Sequence, residues 1–113
     1  MTGVIAGAFG AHALKATLTP ARLATWETAV DYQVWHALAL LLACLLIGRV
    51  TGKLASAVFV LFVVGIVIFS GSLYLLCLTD TAWLGAITPI GGASFIAGWA
   101  CLGLVLKRAN EHA

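Results

Sequence analysis

Charged residues are scarce in this chain. Only 9% of its 113 residues are Asp, Glu, Lys or Arg, whereas 63% are hydrophobic, and the mean hydropathy is +1.11. Soluble proteins contain about 25% charged residues, and a small soluble domain has a large surface that polar groups must cover. The composition therefore excludes a soluble domain, a disordered chain and a typical nucleic-acid-binding protein. It predicts an integral membrane protein.

Cysteines and recognised catalytic motifs are also few. Cys44, Cys77 and Cys101 lie far apart and each lies in an apolar run, so we expect buried small side chains and neither a disulfide framework nor a zinc site. The six basic residues form no polybasic block. The chain contains no HExxH motif, phosphate-binding loop or pair of CxxC motifs. We therefore expect no enzymatic activity, no metal and no cofactor.

Four apolar runs predict an all-α membrane bundle that forms a single domain. Three runs are long enough to cross a hydrocarbon layer about 30 Å thick, which takes ~20 helical residues. The first run is too short, and we interpret it as a short or N-terminally trimmed membrane helix. A signal peptide is disfavoured because no basic segment precedes the run. The predicted helices cover residues 3–15, 20–48, 54–78 and 89–107.

Two Thr-Pro pairs predict helix starts. Thr19 is a good N-cap residue, and Pro20 suits the first helical position. Thr88 and Pro89 repeat the pattern inside the last apolar run. The second pair predicts that residues 82–87 form a turn or a short segment before the main helix.

The loops indicate how the chain is oriented in the membrane. Arg49 and Lys53 flank one turn, and Lys107 and Arg108 follow the last run, whereas the loop 79–83 has no basic residue. The positive-inside rule places that turn and the C-terminus in the cytoplasm. In this orientation aromatic residues gather near the outer interface, as an aromatic belt requires: Trp26, Tyr32, Trp35, Tyr74 and Trp83.

Small residues at helical spacing predict where the helices touch. In lipid, close approach of the backbones drives helix association, because burial of apolar area does not. The predicted contact residues are Gly3, Gly7 and Gly10 in the first helix, Gly65 and Ser72 in the third, and Gly91, Ser94 and Gly98 in the last. Packing within one chain and an interface between copies both remain open.

Polar side chains concentrate in the first third of the chain, and an ionisable group at membrane depth is costly and usually functional. Glu27 and Asp31 share one helix face. We expect both to lie near the interface and to pair with Arg22 or Lys15. A proton or cation site is the alternative.

His36 lies on a different face, about two turns inside the span. We expect a neutral ring that is hydrogen-bonded to a neighbouring helix. The alternative is a bis-histidine haem or metal site with His12, the only residue that we expect to approach His36 from another run at similar depth.

Four ordered segments resemble a known family: GAFGAHALK at 7–15, WETAVDYQVWHAL at 26–38, FSGSLY at 69–74 and LGAITPIGG at 84–92. Together they resemble the YgdD-like family of small membrane proteins, which is domain-of-unknown-function family 423. The resemblance implies a four-helix protein of the bacterial inner membrane and brings no catalytic residues. Family members carry a longer first apolar segment, so the resemblance also implies that this chain starts late in its first helix.

The family motifs contain many of the polar residues and predict a polar pocket. We expect it between the first two helices and the Thr88 loop, with Lys15, Glu27 and Asp31 ion-paired above His36. The pocket binds a lipid headgroup or a small solute, or it locks the bundle. The full candidate cluster is His12, Lys15, Glu27, Asp31, Tyr32, His36, Tyr74 and Thr88.

Two functions remain open at this point. Small size, short loops and glycine stripes favour a non-enzymatic structural or accessory subunit, either in a homo-oligomer or in a larger membrane complex. The alternative is a small oligomeric transporter or channel for a proton, an ion or a small solute. Transport needs polar groups that continue towards the cytoplasmic side, where Gly91, Ser94 and Cys101 are the only candidates.

Overall fold

Helices make up most of residues 1–111, the part of the chain that the computed structural model describes. The first helix, α1, covers Thr2–Phe9 and continues as one turn of π-helix over Gly10–Leu14. The second helix, α2, covers Pro20–Ile47. It begins where the first Thr-Pro pair lies, and the Thr19 hydroxyl accepts the N–H of Arg22 at 3.2 Å.

The second half of the chain forms two further long helical segments. The third span consists of α3 at Lys53–Gly65, a π-helical turn at Ile66–Ser70, and α4 at Gly71–Thr79. A short 3-10 helix at Ala82–Ala86 precedes α5 at Thr88–Glu111.

Length and hydropathy confirm an all-α membrane bundle. Three segments are long and apolar enough to cross a bilayer, namely Pro20–Ile47, Lys53–Thr79 and Ala82–Glu111, and Thr2–Leu14 is a shorter apolar helix. Large apolar side chains cover the outside of the bundle; Leu45, for example, is 77% exposed. Such a surface suits lipid, in which exposed apolar groups cost nothing.

The main core lies between α2, α3 and α5. The most extensive packing is between α3 and α5. The buried core consists of Ala39, Ala43, Ile47, Ala55, Val58, Phe62, Phe95, Leu102 and Val105. A smaller cluster forms at the other end of the bundle and contains Leu14, Trp26, Leu76 and Cys77.

One expectation about burial is wrong. Cys44 is exposed on α2, although Cys77 is buried and Cys101 is half-buried. Apolar sequence does not distinguish core from lipid-facing positions, because both surroundings are apolar. Trp26 packs inside the bundle: it is 5% exposed, and its indole N–H donates to the carbonyl of Ala6 at 2.9 Å.

Candidate functional site

His36 is buried where α2 meets α3 and α5. Its ring stacks on Phe95 of α5, with ring centroids 3.6 Å apart and planes 14° from parallel. The ring also makes an edge contact with the ring of Phe62 of α3, with ring centroids 5.7 Å apart. These contacts hold an imidazole inside an aromatic cluster near the middle of the second span.

Hydrogen bonds define the tautomer of His36. Nδ1 lies 2.8 Å from the carbonyl oxygen of Tyr32, and a carbonyl only accepts, so Nδ1 carries the proton. Nε2 accepts the indole N–H of Trp99 at 3.1 Å. His36 is therefore the neutral Nδ1–H tautomer. Because both nitrogens are engaged within the chain, neither is free to bind a metal ion or haem iron.

The expected hydrogen bond of His36 to a neighbouring helix is confirmed, and its donor is Trp99 of α5. The expectation that only His12 could approach His36 from another run is wrong, because the indole of Trp99 reaches it from α5. His12 is exposed in the π-helical turn after α1. No group of three or more metal-binding side chains occurs within residues 1–111.

Gln33 joins three helices through its side-chain amide. Its Oε1 accepts the hydroxyl of Tyr74 of α4 at 2.5 Å, and its Nε2 donates to the hydroxyl of Thr2 of α1 at 2.7 Å. The ring of Tyr74 also lies 4.5 Å from that of Trp26. The side chains of Thr2, Gln33 and Tyr74 therefore form a continuous chain of polar contacts between α1, α2 and α4.

Four hydroxyl groups make three further bonds between helices. Ser70 is fully buried and donates to the carbonyl of Ala29 at 2.7 Å. Ser72 and Thr88 share a hydrogen bond of 2.6 Å, which joins α4 to the start of α5. Ser94 donates to the carbonyl of Leu61 at 2.6 Å. Within residues 1–111, no buried side-chain nitrogen or oxygen lacks a partner.

The structure divides the predicted polar cluster into an inner and an outer part. His36 is buried, and Tyr32, Tyr74 and Thr88 are half-buried. The outer part is exposed and consists of His12, Lys15, Glu27 and Asp31. The outer residues therefore do not form a pocket together with His36.

The expected pairing of Arg22 with Glu27 or Asp31 is wrong. Arg22 instead pairs with Asp80, at 2.9 Å between its Nη2 and the carboxylate. This is the only ion pair within the part of the chain that the structure describes. Asp80 lies in the left-handed turn that ends α4, with φ at 52°, and the turn returns the chain beside the start of α2.

Glu27 and Asp31 line a small groove between α1 and α2. Its volume is about 90 Å³, and its other walls come from Gly7, Gly10, Ala11, Trp26 and Val30. The groove therefore combines two carboxylates with a surface of small and apolar groups.

The predicted small residues lie at helix contacts within the chain. Gly3, Gly7 and Gly10 of α1 and its π-helical turn face Val34, Val30 and Trp26 of α2. Gly65 faces the ring of Phe95, and Gly98 faces the ring of Phe62. Gly91 lies against the backbone of Phe69, while Ser72 and Ser94 make the bonds given above.

Sequence reasoning missed several residues that build the interior. Gln33, Ser70, Phe95 and Trp99 are outside the predicted cluster, yet each contacts another helix. Gln33 and Ser70 gave a signal, since each is a polar residue inside an apolar span. Phe95 and Trp99 gave none, because aromatic residues are common in apolar spans.

Comparison with known proteins confirms the resemblance seen in the sequence. The family described as a protein of unknown function, DUF423, matches residues 6–92. A UPF0382 membrane protein of Staphylococcus haemolyticus is 48% identical over 102 residues, which cover 90% of this chain and 83% of the relative. The UPF0382 membrane protein YwdK of Bacillus subtilis is 44% identical over 95 residues, or 82% of this chain and 76% of the relative. No solved structure matches the chain.

Proposed function

The chain belongs to the DUF423 family, and we propose that this multi-pass membrane protein is a non-enzymatic structural or accessory subunit that binds another membrane chain. The surface that we propose for this contact is the outer face of α1 and α2 around Glu27 and Asp31. The single observation behind the proposal is the exposure of Asp31 on a membrane-spanning helix.

The length of α2 gives the depth of these carboxylates. Its 28 residues span about 42 Å at 1.5 Å per residue, which exceeds a hydrocarbon layer about 30 Å thick. We take Ile47, the last residue of α2, as the inner boundary of the layer, because the exposed Arg49 follows it. Along the helix axis, Asp31 is then about 24 Å and Glu27 about 30 Å from this boundary. Asp31 is then inside the outer part of the layer, and Glu27 is at its boundary.

An exposed carboxylate at this depth is unfavourable in lipid. Insertion scales give a cost of about 2.5–3.5 kcal/mol for a charged residue at the centre of a membrane helix, and the cost falls towards the interface. Within residues 1–111, neither Glu27 nor Asp31 has an ion-pair partner. A partner chain with a basic or hydrogen-bond-donating side chain at this depth would remove the cost.

The interior supports a non-enzymatic role. His36, Ser70, Ser72 and Gln33 all use their polar groups to bind neighbouring helices. Groups engaged in this way stabilise the bundle and are not available to a substrate.

We propose that the protein resides in the bacterial inner membrane with its C-terminus in the cytoplasm. Arg49 and Lys53 lie at the turn between α2 and α3, and Lys107 and Arg108 lie near the end of α5. All four are exposed at the same end of the bundle. The basic residues at the other end are Lys15 and Arg22, so the count is four against two. This asymmetry supports the orientation by the positive-inside rule.

Native mass spectrometry of the tagged protein, released gently from its own membrane, tests the subunit role. We expect the wild-type chain in a complex and the double variant E27Q/D31N mostly as a lone chain. The variant D80N/E111Q removes two carboxylates elsewhere and should keep the complex. A wild-type chain that is always alone, or a complex that survives E27Q/D31N, would contradict the proposal. The mass of the complex tells a second copy from a different protein.

Transport of a proton or small cation is the second candidate, and the groove lined by Glu27 and Asp31 favours it. A path through one chain would have to cross the apolar core around Ala43, Val58 and Leu102. Proton flux into liposomes that contain the purified protein, lost in D31N, would favour transport over the subunit role.

A further inference from the structure

A groove lies at the end of the bundle opposite to Asp31. It is bounded by the turn between α2 and α3 on one side and by the last turns of α5 on the other, and its volume is about 300 Å³. The lining residues are Val50, Thr51, Gly52, Lys53, Leu54, Ala55, Val105, Arg108 and Ala109.

Two basic side chains from different helices border this groove. Lys53 begins α3, and Arg108 lies in the last turn of α5. Both are exposed, and neither has an acidic partner within residues 1–111. Among the described residues, no acidic side chain lines the groove. The site therefore has two positive charges that form no ion pair in the described part of the chain.

Apart from Thr51 and Gly52, the rest of the groove lining is apolar. Its floor contains Ala55 and Val105, which are 3% and 4% exposed. Val50 lies at its edge and is 41% exposed. A ligand that fits both parts must carry an anionic group and a hydrocarbon portion next to it.

The position of the groove indicates that such a ligand comes from the membrane. Lys53 starts one membrane-spanning segment, and Arg108 lies near the end of another, so the basic rim is at headgroup level. Basic pockets between membrane helices on the cytoplasmic side are known to bind anionic lipid headgroups. Arg49 and Lys107 lie at the same end and raise the local positive potential without lining the groove.

We propose that this groove is a binding site for an anionic phospholipid. Lys53 and Arg108 bind the phosphate from two sides, and the apolar floor contacts the glycerol and the first part of an acyl chain. The α3 helix begins at this point without a side-chain cap, so its free backbone N–H groups add partial positive charge that favours an anionic phosphate. The proposal is independent of the contact proposed at Asp31.

Lipid retention measured by native mass spectrometry tests the site. The full-length protein is placed in nanodiscs with equal amounts of phosphatidylglycerol and phosphatidylcholine, and the lipids that stay bound after release are counted. Each Lys or Arg near an anionic lipid surface contributes about 1 kcal/mol, which is about fivefold in the affinity for an anionic lipid. For wild type we therefore expect one tightly held phosphatidylglycerol, enriched at least about tenfold over phosphatidylcholine, since two such residues act together.

A charge-matched pair of variants gives the test its control. In K53Q/R108Q the enrichment should fall to near parity. In R49Q/K107Q, which removes two positive charges at the same end but outside the groove, enrichment should stay within about twofold of wild type. All four positions are exposed, so neither double variant disturbs the core.

Three outcomes would overturn the proposal. Equal losses in both double variants would show that the general surface charge attracts the lipid. Retained enrichment in K53Q/R108Q would show that these two residues do not bind it. Displacement of the phosphatidylglycerol by millimolar inorganic phosphate would show that the groove selects phosphate alone and not the phospholipid.

Discussion

The Nε2 atom of His36 accepts the indole N–H of Trp99 at 3.1 Å, and this bond joins α2 to α5. The two residues are 63 positions apart in the chain. Because the carbonyl of Tyr32 engages the other ring nitrogen, the imidazole is held in one tautomer and one orientation. A group that is immobilised in this way stabilises helix packing.

Removal of the indole donor should destabilise the bundle. In W99F the Nε2 atom of His36 loses its partner in an apolar interior. Hydrogen bonds between membrane helices contribute about 0.6 kcal/mol on average and about 1.7 kcal/mol at most, so we expect a loss in this range. The loss is measured by thermal or denaturant unfolding in detergent.

The variant W83F is the control, because Trp83 is exposed and makes no side-chain hydrogen bond within residues 1–111. It should leave the unfolding midpoint unchanged. An equal shift in W83F and W99F would show that the bond to His36 contributes nothing.

A methyl group at Gly91 should destabilise the contact of α5 with the third span. The added Cβ would lie 2.8 Å from the Cα of Phe69, and that backbone belongs to a packed helix and cannot move aside cheaply. Overpacking of this kind costs about 1–3 kcal/mol, so G91A should unfold at a lower temperature than wild type.

Gly103 provides a matched control on the same helix. Nothing lies within 4 Å of a Cβ added there, so G103A should gain about 0.5–1 kcal/mol from helix propensity alone. If G91A were as stable as G103A, the close approach at Gly91 would not hold the helices together.

Loss of the Tyr74 hydroxyl should weaken the attachment of α1. In Y74F the Oε1 of Gln33 loses its donor, and the amide that binds Thr2 is then oriented less strongly. We expect faster proteolysis within residues 15–19, the segment between α1 and α2, with a smaller effect on the rest of the bundle. Y32F is the control, since the hydroxyl of Tyr32 forms no hydrogen bond within the described residues. Equal cleavage rates in the two variants would contradict this role.

Substitutions at Asp80 should separate two contributions of this residue to stability, namely its ion pair with Arg22 and its left-handed backbone conformation. The carboxylate is 80% exposed, so the pair with Arg22 contributes at most about 1 kcal/mol, and D80N should cost no more than that. The cost should decrease at high salt. D80A should cost more than D80N, because a left-handed conformation disfavours most residues by about 1–2 kcal/mol and Asn tolerates it. Unfolding midpoints at low and high salt distinguish these contributions.

The sequence predicted much of the fold and little of the site. The long apolar runs, the helix start at Pro20 and the family segments were all readable, because hydropathy and capping are properties of neighbouring residues. The partner of Arg22 was predicted wrongly because the sequence shows only which residues are neighbours along the chain. Glu27 and Asp31 are near in sequence, whereas Asp80 becomes near only when the turn after α4 folds back towards α2.

The sequence by itself determined that this chain crosses a membrane, since an apolar run of sufficient length must be removed from water whatever it packs against. Only the tertiary structure decided which polar groups meet. It placed Trp99 on His36, and it brought Lys53 and Arg108 to one groove although no basic block exists in the sequence. The physical reason is that lipid-facing and core-facing positions are equally apolar. Hydropathy therefore identifies the spans but contains no information on which faces meet.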